Sequence, residues 1–435
     1  MWEKRVPQPV MELYRSGFVG GVTFSNNGFY PGHHAVDYEK VLRHGLRALC
    51  AEAEARLAEL NLDLLENVEK YHFYQAVIRS LRAVRGFAQR YADLAADMAR
   101  RAPDAVRRGE LERIAVVCAR VPWESAENFW EAVQSTYFLW LTMMVEGWGH
   151  GLTLARPDQY LYPFYAQDIR SGAITREQAL KLVELFFVKL NTTVTIDDYA
   201  TATCFAGFPQ ACDVTVGGVD ADGRDAANEL TFLLFEAERD VGSTAEDLVI
   251  RVSPVSSERY LLEAVELAKA LKGKLKFVSD PVAFSQFRAD GYPETLLWNY
   301  AVTGCNSPWL VGASLDLPGG LFNLPMLLEF ALNDGKSRLT GAQVGPRTGD
   351  PRRFRRYEEV WEAFCRQVDF FTGKVVVMMN ADRAIFAENL PIPYQSALMD
   401  GPIERGRDLF SGGTGLLARE SYSLSGAPNV GQRAA

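Results

Sequence analysis

None of the six cysteines in this chain stands in a Cys-x-x-Cys pair, and no histidine lies at metal-ligand spacing from any of them. Cys50, Cys118, Cys204, Cys212, Cys305 and Cys365 are scattered, which argues against a disulfide framework and suggests a reducing, cytoplasmic setting. Five histidines, with only His33 and His34 adjacent, do not suggest a zinc hydrolase, and no metal site is expected. There is no Gly-x-Ser-x-Gly elbow, no Gly-x-x-x-x-Gly-Lys phosphate loop and no Gly-x-Gly-x-x-Gly opening a helix. The start, Met1-Trp2-Glu3-Lys4-Arg5, lacks the apolar core of a signal peptide. The most apolar segment, Tyr137 to Val145, falls well short of the roughly 20 residues that span a bilayer, so no membrane partner is expected. Basic charge is also short: 46 Lys and Arg face 55 Asp and Glu, a net charge of −9. That balance argues against binding nucleic acid through its phosphates, and the cluster Arg352-Arg353 with Arg355-Arg356 reads as solvated surface.

What is present is ordinary globular composition, 48% hydrophobic and 23% charged over 435 residues, enough for a large core. The first thirty residues, rich in Gly, Asn and Pro, read as irregular. Asp37 then opens a helix with Val41, Leu42, Leu46, Leu49 and Cys50 on one face. A second amphipathic run from about Leu64 to Arg100 carries Phe73, Val77, Leu81, Phe87, Tyr91 and Leu94 on its stripe. A third, from near Ser125, is apolar almost all round to Met144 and predicts a buried central helix. Glu146 and His150 at its end are unusual there, with a surface turn around Gly147 and Gly149 as the alternative. Thr175 and Gln178 form a capping box. Val214-Thr215-Val216, Leu248 to Val252 and Leu275 to Val278 read as strands alternating with helices up to Cys305, which predicts parallel pairing. Asp220-Ala221-Asp222-Gly223 reads as a turn rather than a calcium loop. No linker is marked, so residues 1–435 read as one domain, mostly helical around a modest parallel sheet.

The stretch Asn299 to Trp309 centres on Cys305. Gly304 permits a tight backbone path and Pro308 cannot donate a ladder bond, so the thiol reads as sitting at a loop tip beyond a buried strand. Two readings stand side by side: a thiol presented into a cavity by a rigid scaffold, or a buried cysteine acting as a small hydrophobe. A Cys–His pair for nucleophilic hydrolysis, with His33, His34 or His150 as base, is a third.

Longer motifs point to a family. Gly32-His33 with Asp37-Tyr38-Glu39-Lys40-Val41-Leu42, Val121-Pro122 with Asn128-Phe129-Trp130-Glu131, and Arg156-Pro157-Asp158-Gln159-Tyr160 come first. Gly217-Gly218 with Asp220, Asp222, Gly223 and Asp225, Gly304-Cys305, Leu390-Pro391, and Glu404-Arg405-Gly406-x-Asp408 follow. In this order they resemble the central part of glycyl radical enzymes of the pyruvate formate-lyase family. The resemblance implies a helix-rich α/β fold with parallel half-sheets in a ten-stranded-type β/α barrel, here partial, without the family's N-terminal part and C-terminal glycyl radical domain. It implies that Cys305 is the thiyl position, oxidised by a protein glycyl radical and then abstracting a substrate hydrogen. Gly304, Asn306, Ser307 and His33 fall beside it as substrate-pocket candidates. The implied partners are a radical S-adenosylmethionine activating enzyme, a small-molecule substrate and, for the complete enzyme, a second copy of itself. No bound cofactor is expected beyond the glycyl radical.

Two departures matter. The family's radical glycine follows Arg-Val-x near the C-terminus, and no glycine from Tyr422 to Gln432 has that context. The chain is therefore expected to be a fragment, a split subunit needing a glycyl-bearing partner chain, or a catalytically silent remnant, and to associate or dissolve poorly when made alone. Family dehydratases, amine lyases and decarboxylases carry Glu two residues after the cysteine, where Ser307 stands. Pyruvate formate-lyase itself has a second cysteine where Gly304 stands. The sequence thus points to radical C–C bond cleavage or formation by neither of those routes.

Overall fold

The computed structural model describes residues 6–15, 24–25, 33–147, 151–193, 203, 212–304, 307–314, 321–412 and 414. Cys305, Asn306, His150, Cys204 and the tail glycines lie outside them. The chain divides into two compact units.

The first unit comprises Met1–Tyr30, Asp316–Pro391 and Tyr422–Ala435. Within it Gln8–Arg15 is helical, contrary to the irregular start expected. Val10 and Met11 explain the difference: they pack with Leu327, Phe330 and Phe371 in one buried cluster, so tertiary burial overrides a Pro-containing sequence. The long helix Tyr357–Asn389 and Leu324–Ala331 supply most of that cluster. Arg352 pairs with Asp350 on the surface, as its charge run suggested.

The second unit comprises Pro31–Leu315 and Ile392–Ser421 and holds the site. Asp37 caps Tyr38–Ala58 by accepting from the Lys40 N–H at 3.0 Å. That helix breaks at Gly45, φ 73°, where Leu46 and Arg47 donate instead to the carbonyls of Pro122 and Trp123. In Glu66–Arg101 the predicted stripe holds through Leu81 and then turns: Tyr91 and Leu94 are exposed, while Ala88, Ala92, Ala95 and Ala99 are buried. Small residues let the antiparallel helix Ala105–Arg120 approach, and Ala88, Ala92, Cys118 and Phe138 form the contact. Phe129–Gly147 is the buried central helix, with Trp140 fully enclosed. The capping box at Thr175 and Gln178 caps Arg176–Leu190.

The sheet follows. Strands β1 (Cys212–Gly217), β2 (Glu246–Val252) and β3 (Lys276–Ser279) pair in parallel in that order. Glu229–Val241 and Glu258–Ala270 are the crossover helices. All six residues of β1 are buried, as expected for a parallel strand covered on both faces. The last two strands depart from the parallel expectation. β4 (Tyr300–Thr303) and β5 (Ser307–Leu310) form an antiparallel hairpin, Thr303 opposite Ser307 and Val302 opposite Pro308. Pro308 does not end the run. Val302 turns its N–H away from β5 and donates to Thr215 Oγ1 at 3.0 Å on β1. Residues 302 and 308 thus face each other without a ladder bond, a place where proline loses nothing.

At one end of this sheet lies a group of charges. Arg251 on β2 is buried and donates to both oxygens of Asp280, at 2.8 and 3.0 Å. It also donates to the carbonyls of Trp298 and Tyr300 and lies 3.8 Å from the Tyr300 ring centroid. Arg156, equally buried, donates to the carbonyls of Trp298, Gly217 and Val219. Burial and then the nearby Arg251 lower Arg156 to about 9, so it stays charged at neutral pH. Asp158 and Asp280 balance the two cations. Among the described residues no helix is long and apolar enough to cross a membrane, and no cluster of His, Cys, Asp and Glu is arranged to hold a metal ion.

Removing one member of the buried pair leaves the other charge uncompensated. Arg251→Met is expected to cost about 3–5 kcal/mol in urea unfolding. Arg288→Met, at an exposed pair with Glu294, is expected to leave the urea midpoint almost unchanged. Equal small losses would show that burial of the pair contributes nothing.

Candidate active site

The hairpin sets the site. β4 and β5 enclose the three-residue connection 304–306 between the paired residues Thr303 and Ser307. β4 is buried along its length, and Ala301, Val302 and Leu310 hold the hairpin in the core. Gly304 has φ +57°, a conformation that costs a side-chain-bearing residue roughly 1–2 kcal/mol. A Cβ on Gly304 would stand 2.5 Å from His33 Nε2. A Cβ on Gly151, φ +81°, would stand 2.5 Å from His33 Cδ2 and 2.9 Å from the Gly304 Cα. The imidazole of His33 therefore lies against two glycine backbones that no side chain separates.

Of the residues singled out from sequence, His33 and Gly304 are brought together, and Ser307 stands one ladder step away at the start of β5. Ser307 is half-buried, and its carbonyl accepts from Thr303 Oγ1 at 3.4 Å. Cys305 and Asn306 fall outside the described residues, so their part in the site stays an inference from the chain around them.

Other residues were not singled out. Lys276, the first residue of β3, donates to the Gly304 carbonyl at 2.7 Å. The same ammonium lies 2.6 Å from Asp213 Oδ1 on β1 and 3.1 Å from Asp247 Oδ2 on β2. Burial pushes Asp213 upward, and the ammonium 2.6 Å away pulls it back toward the charged form. Burial lowers Lys276, but Asp213 and Asp247 outweigh it and raise the ammonium above its ordinary value. The signal in the sequence was a lysine and two aspartates at the starts of apolar strands.

Behind His33, His34 is fully buried. Burial and then the adjacent His33 lower it to about 4, opposed in part by Gln395, so it is neutral at pH 7. Glu146 is not in a surface turn. It accepts from the Tyr394 and Gln395 N–H groups at 2.7 and 2.9 Å, and burial raises it to about 7. Asp168, Asp220 and Asp225 serve turns and caps: Asp168 accepts from Phe129 N–H, Asp220 from Asp222 and Arg224, and Asp225 from Ala227 and Ser257.

Two expectations follow. Gly304→Ala should destabilise by about 2 kcal/mol or more, and His33→Ala should recover about 1 kcal/mol of that loss in a double-mutant cycle. Strict additivity would mean that the imidazole does not lie on residue 304. For His34 the folded value is depressed below the unfolded one near 6.5. Its contribution is therefore full above pH 6.5 and lost as pH falls toward 4, with a slope approaching about 1.4 kcal/mol per pH unit. His34→Gln should flatten that part of the stability curve in urea titrations, and an unchanged slope would place the acid sensitivity elsewhere.

Comparison with known proteins gives these features a context. A family described as pyruvate formate lyase-like matches residues 1–431. Isethionate sulfite-lyase of Oleidesulfovibrio alaskensis is 35% identical over 84% of this chain and 44% of its own length. A structure titled for 1,2-propanediol dehydration in Roseburia inulinivorans aligns with a TM-score of 0.89 at 31% identity, over 95% of this chain and 51% of that one. The crystal structure of a glycyl radical enzyme from Archaeoglobus fulgidus aligns at 0.85 and 31% identity, over 93% and 52%. The chain spans about half the length of these relatives. The helix-rich α/β barrel fold expected from sequence is theirs. The names of these two relatives speak of sulfite release and dehydration, which break bonds from carbon to sulfur or oxygen rather than the carbon–carbon bonds expected from the sequence. Proline and glycine at the hairpin, the histidine on its glycine, and similarity along nearly the whole chain agree: this chain belongs to the pyruvate formate lyase-like family of glycyl radical enzymes.

Proposed function

We propose that this chain is the thiyl-bearing polypeptide of a glycyl radical lyase that eliminates a hydroxyl or sulfonate group from a small organic substrate. One observation carries the reading most: a family member's hairpin brings Gly304, at φ +57°, against His33 and Gly151 immediately before Cys305. In this reading the Cys305 thiol gives its hydrogen atom to a glycyl radical and becomes a thiyl. The thiyl takes a hydrogen atom from a substrate carbon that bears a hydroxyl. The adjacent carbon loses its leaving group as water or hydrogen sulfite with the proton that this hydroxyl gives up, and the carbonyl-stabilised product radical takes the hydrogen atom back. The thiyl is thereby restored. A sulfur radical needs a site closed to water and stray hydrogen donors. The buried flanks Ala301, Val302, Trp309 and Leu310 support that need. Ser307 supplies no carboxylate, so proton transfer falls to another group than the one dehydratases of the family carry two residues after the cysteine.

The glycine would lie in an Arg-Val-x-Gly segment, on the same polypeptide or on a partner chain, and the radical would come from an S-adenosylmethionine activase. A second reading, a scaffold without catalysis, is favoured by one feature: Ser307 stands where the family's dehydratases carry a carboxylate. Anaerobic reconstitution with such a partner and an activase separates them. The first reading expects a glycyl doublet by electron spin resonance and consumption of isethionate or 1,2-propanediol. Cys305→Ala should abolish consumption and leave the doublet. A doublet without consumption by the unmodified chain would support the scaffold.

A further inference from the structure

Among the described residues, Lys276 is the charged side chain that grips the backbone of Gly304, at the start of the hairpin's connection. Its ammonium has three N–H donors and meets three acceptors: the Gly304 carbonyl at 2.7 Å, Asp213 Oδ1 at 2.6 Å and Asp247 Oδ2 at 3.1 Å. A lysine stem is flexible and its ammonium strongly hydrated, so a half-exposed lysine ordinarily points to water. Here the side chain is only 18% exposed, and Asp213 is wholly buried beneath it. The two aspartates sit on neighbouring strands, paired one residue from their starts and in register through Asp213 opposite Asp247. They hold the ammonium from two sides and leave its third donor for Gly304. Charge-assisted bonds of this kind are about twice as strong as neutral ones.

The oxygen that Lys276 holds belongs to the planar peptide unit leading out of Gly304. Fixing that oxygen restrains the plane from which the next residue departs. Gly304 needs such a restraint more than other positions, because glycine at φ +57° has no side chain to limit its rotation. His33 covers one side of Gly304, and Lys276 pins its carbonyl from the sheet.

We infer that Lys276, seated between Asp213 and Asp247, is a positioning residue that holds the Gly304 carbonyl and so sets how the chain presents Cys305. The inference rests on the proposal that Cys305 is the reacting thiol. A purely structural role, gluing the starts of β1, β2 and β3 together, would lower stability without a local effect at the hairpin.

The test uses the full chain and the rate of iodoacetamide alkylation at each cysteine, read by peptide mass spectrometry. Lys276→Met should free the connection and speed alkylation of Cys305 by about tenfold, the scale of one lost charge-assisted bond. Cys365, half-buried in the other unit, should keep its rate. Lys276→Arg, which keeps charge and donors, should stay within about threefold of the unmodified chain. Lys276→Ala should return to the original Cys305 rate in methylammonium, and not in tetramethylammonium, which has no N–H. If Lys276→Met does not fold, Lys276→Ala folded with methylammonium and then dialysed gives the same comparison. Unchanged Cys305 rates, or acceleration at Cys305 and Cys365 alike, would overturn the inference. Failure of the underlying proposal looks different: Cys305→Ser would then leave substrate consumption by the reconstituted enzyme intact, whatever the alkylation rates.

Discussion

The buried ion pair between Arg251 and Asp280 is the constraint from which the site's geometry descends. Two fully enclosed charges are tolerable only when they are paired and hydrogen-bonded, and Arg251 makes four hydrogen bonds by reaching across the ends of three strands. Its guanidinium spans the end of β2, the residue after β3 and the carbonyls that open β4. Arg156 adds the end of β1 through Gly217, and both arginines share the Trp298 carbonyl. The start of β4 is thereby fastened to one end of the parallel sheet. β4 then runs beside β1, and Val302 meets Thr215, before the chain reaches Gly304 at the other end.

That second end has its own charged group, smaller and less enclosed. Lys276, Asp213 and Asp247 stand at the starts of the strands, where Gly304 arrives. The hairpin is thus held at both ends by charge and along its length by Val302 and Leu310 in the core. Gly304 is thereby held from the sheet and from the core, the kind of restraint that the proposed radical chemistry asks for beside a hydrogen-abstracting atom. His33 completes the arrangement from outside the sheet, and only because residues 151 and 304 are both glycine.

Much of the fold was legible because its determinants are local. Asp37, Thr175 with Gln178, and Asn228 each cap a helix through contacts within three residues, so sequence spacing already contains the interaction. The strands of the parallel sheet were legible for a similar reason, being short apolar runs between helices with clear caps. Pro308 was misread. Whether a proline breaks a ladder depends on which face of the partner strand it meets, and that parity is set by the hairpin's pairing, not by the proline. The stripe on Glu66–Arg101 failed beyond Leu81, because hydrophobicity favoured Tyr91 and Leu94 while close helix packing selected the alanines.

By itself the sequence determined where several helices begin, where the parallel strands run, that a glycine precedes the cysteine, and that no carboxylate lies two residues beyond it. Each of these is a property of residues a few positions apart. Only the tertiary structure decided that β4 and β5 form an antiparallel hairpin, that His33 lies on Gly304, and that Glu146 caps residues 394 and 395. It alone brought Lys276, Asp213 and Asp247 together. The partners in these contacts are separated by tens to hundreds of residues. A charged residue in a strand discloses that a partner must exist, because a buried charge without one is too costly; which partner it is depends on the register of the sheet.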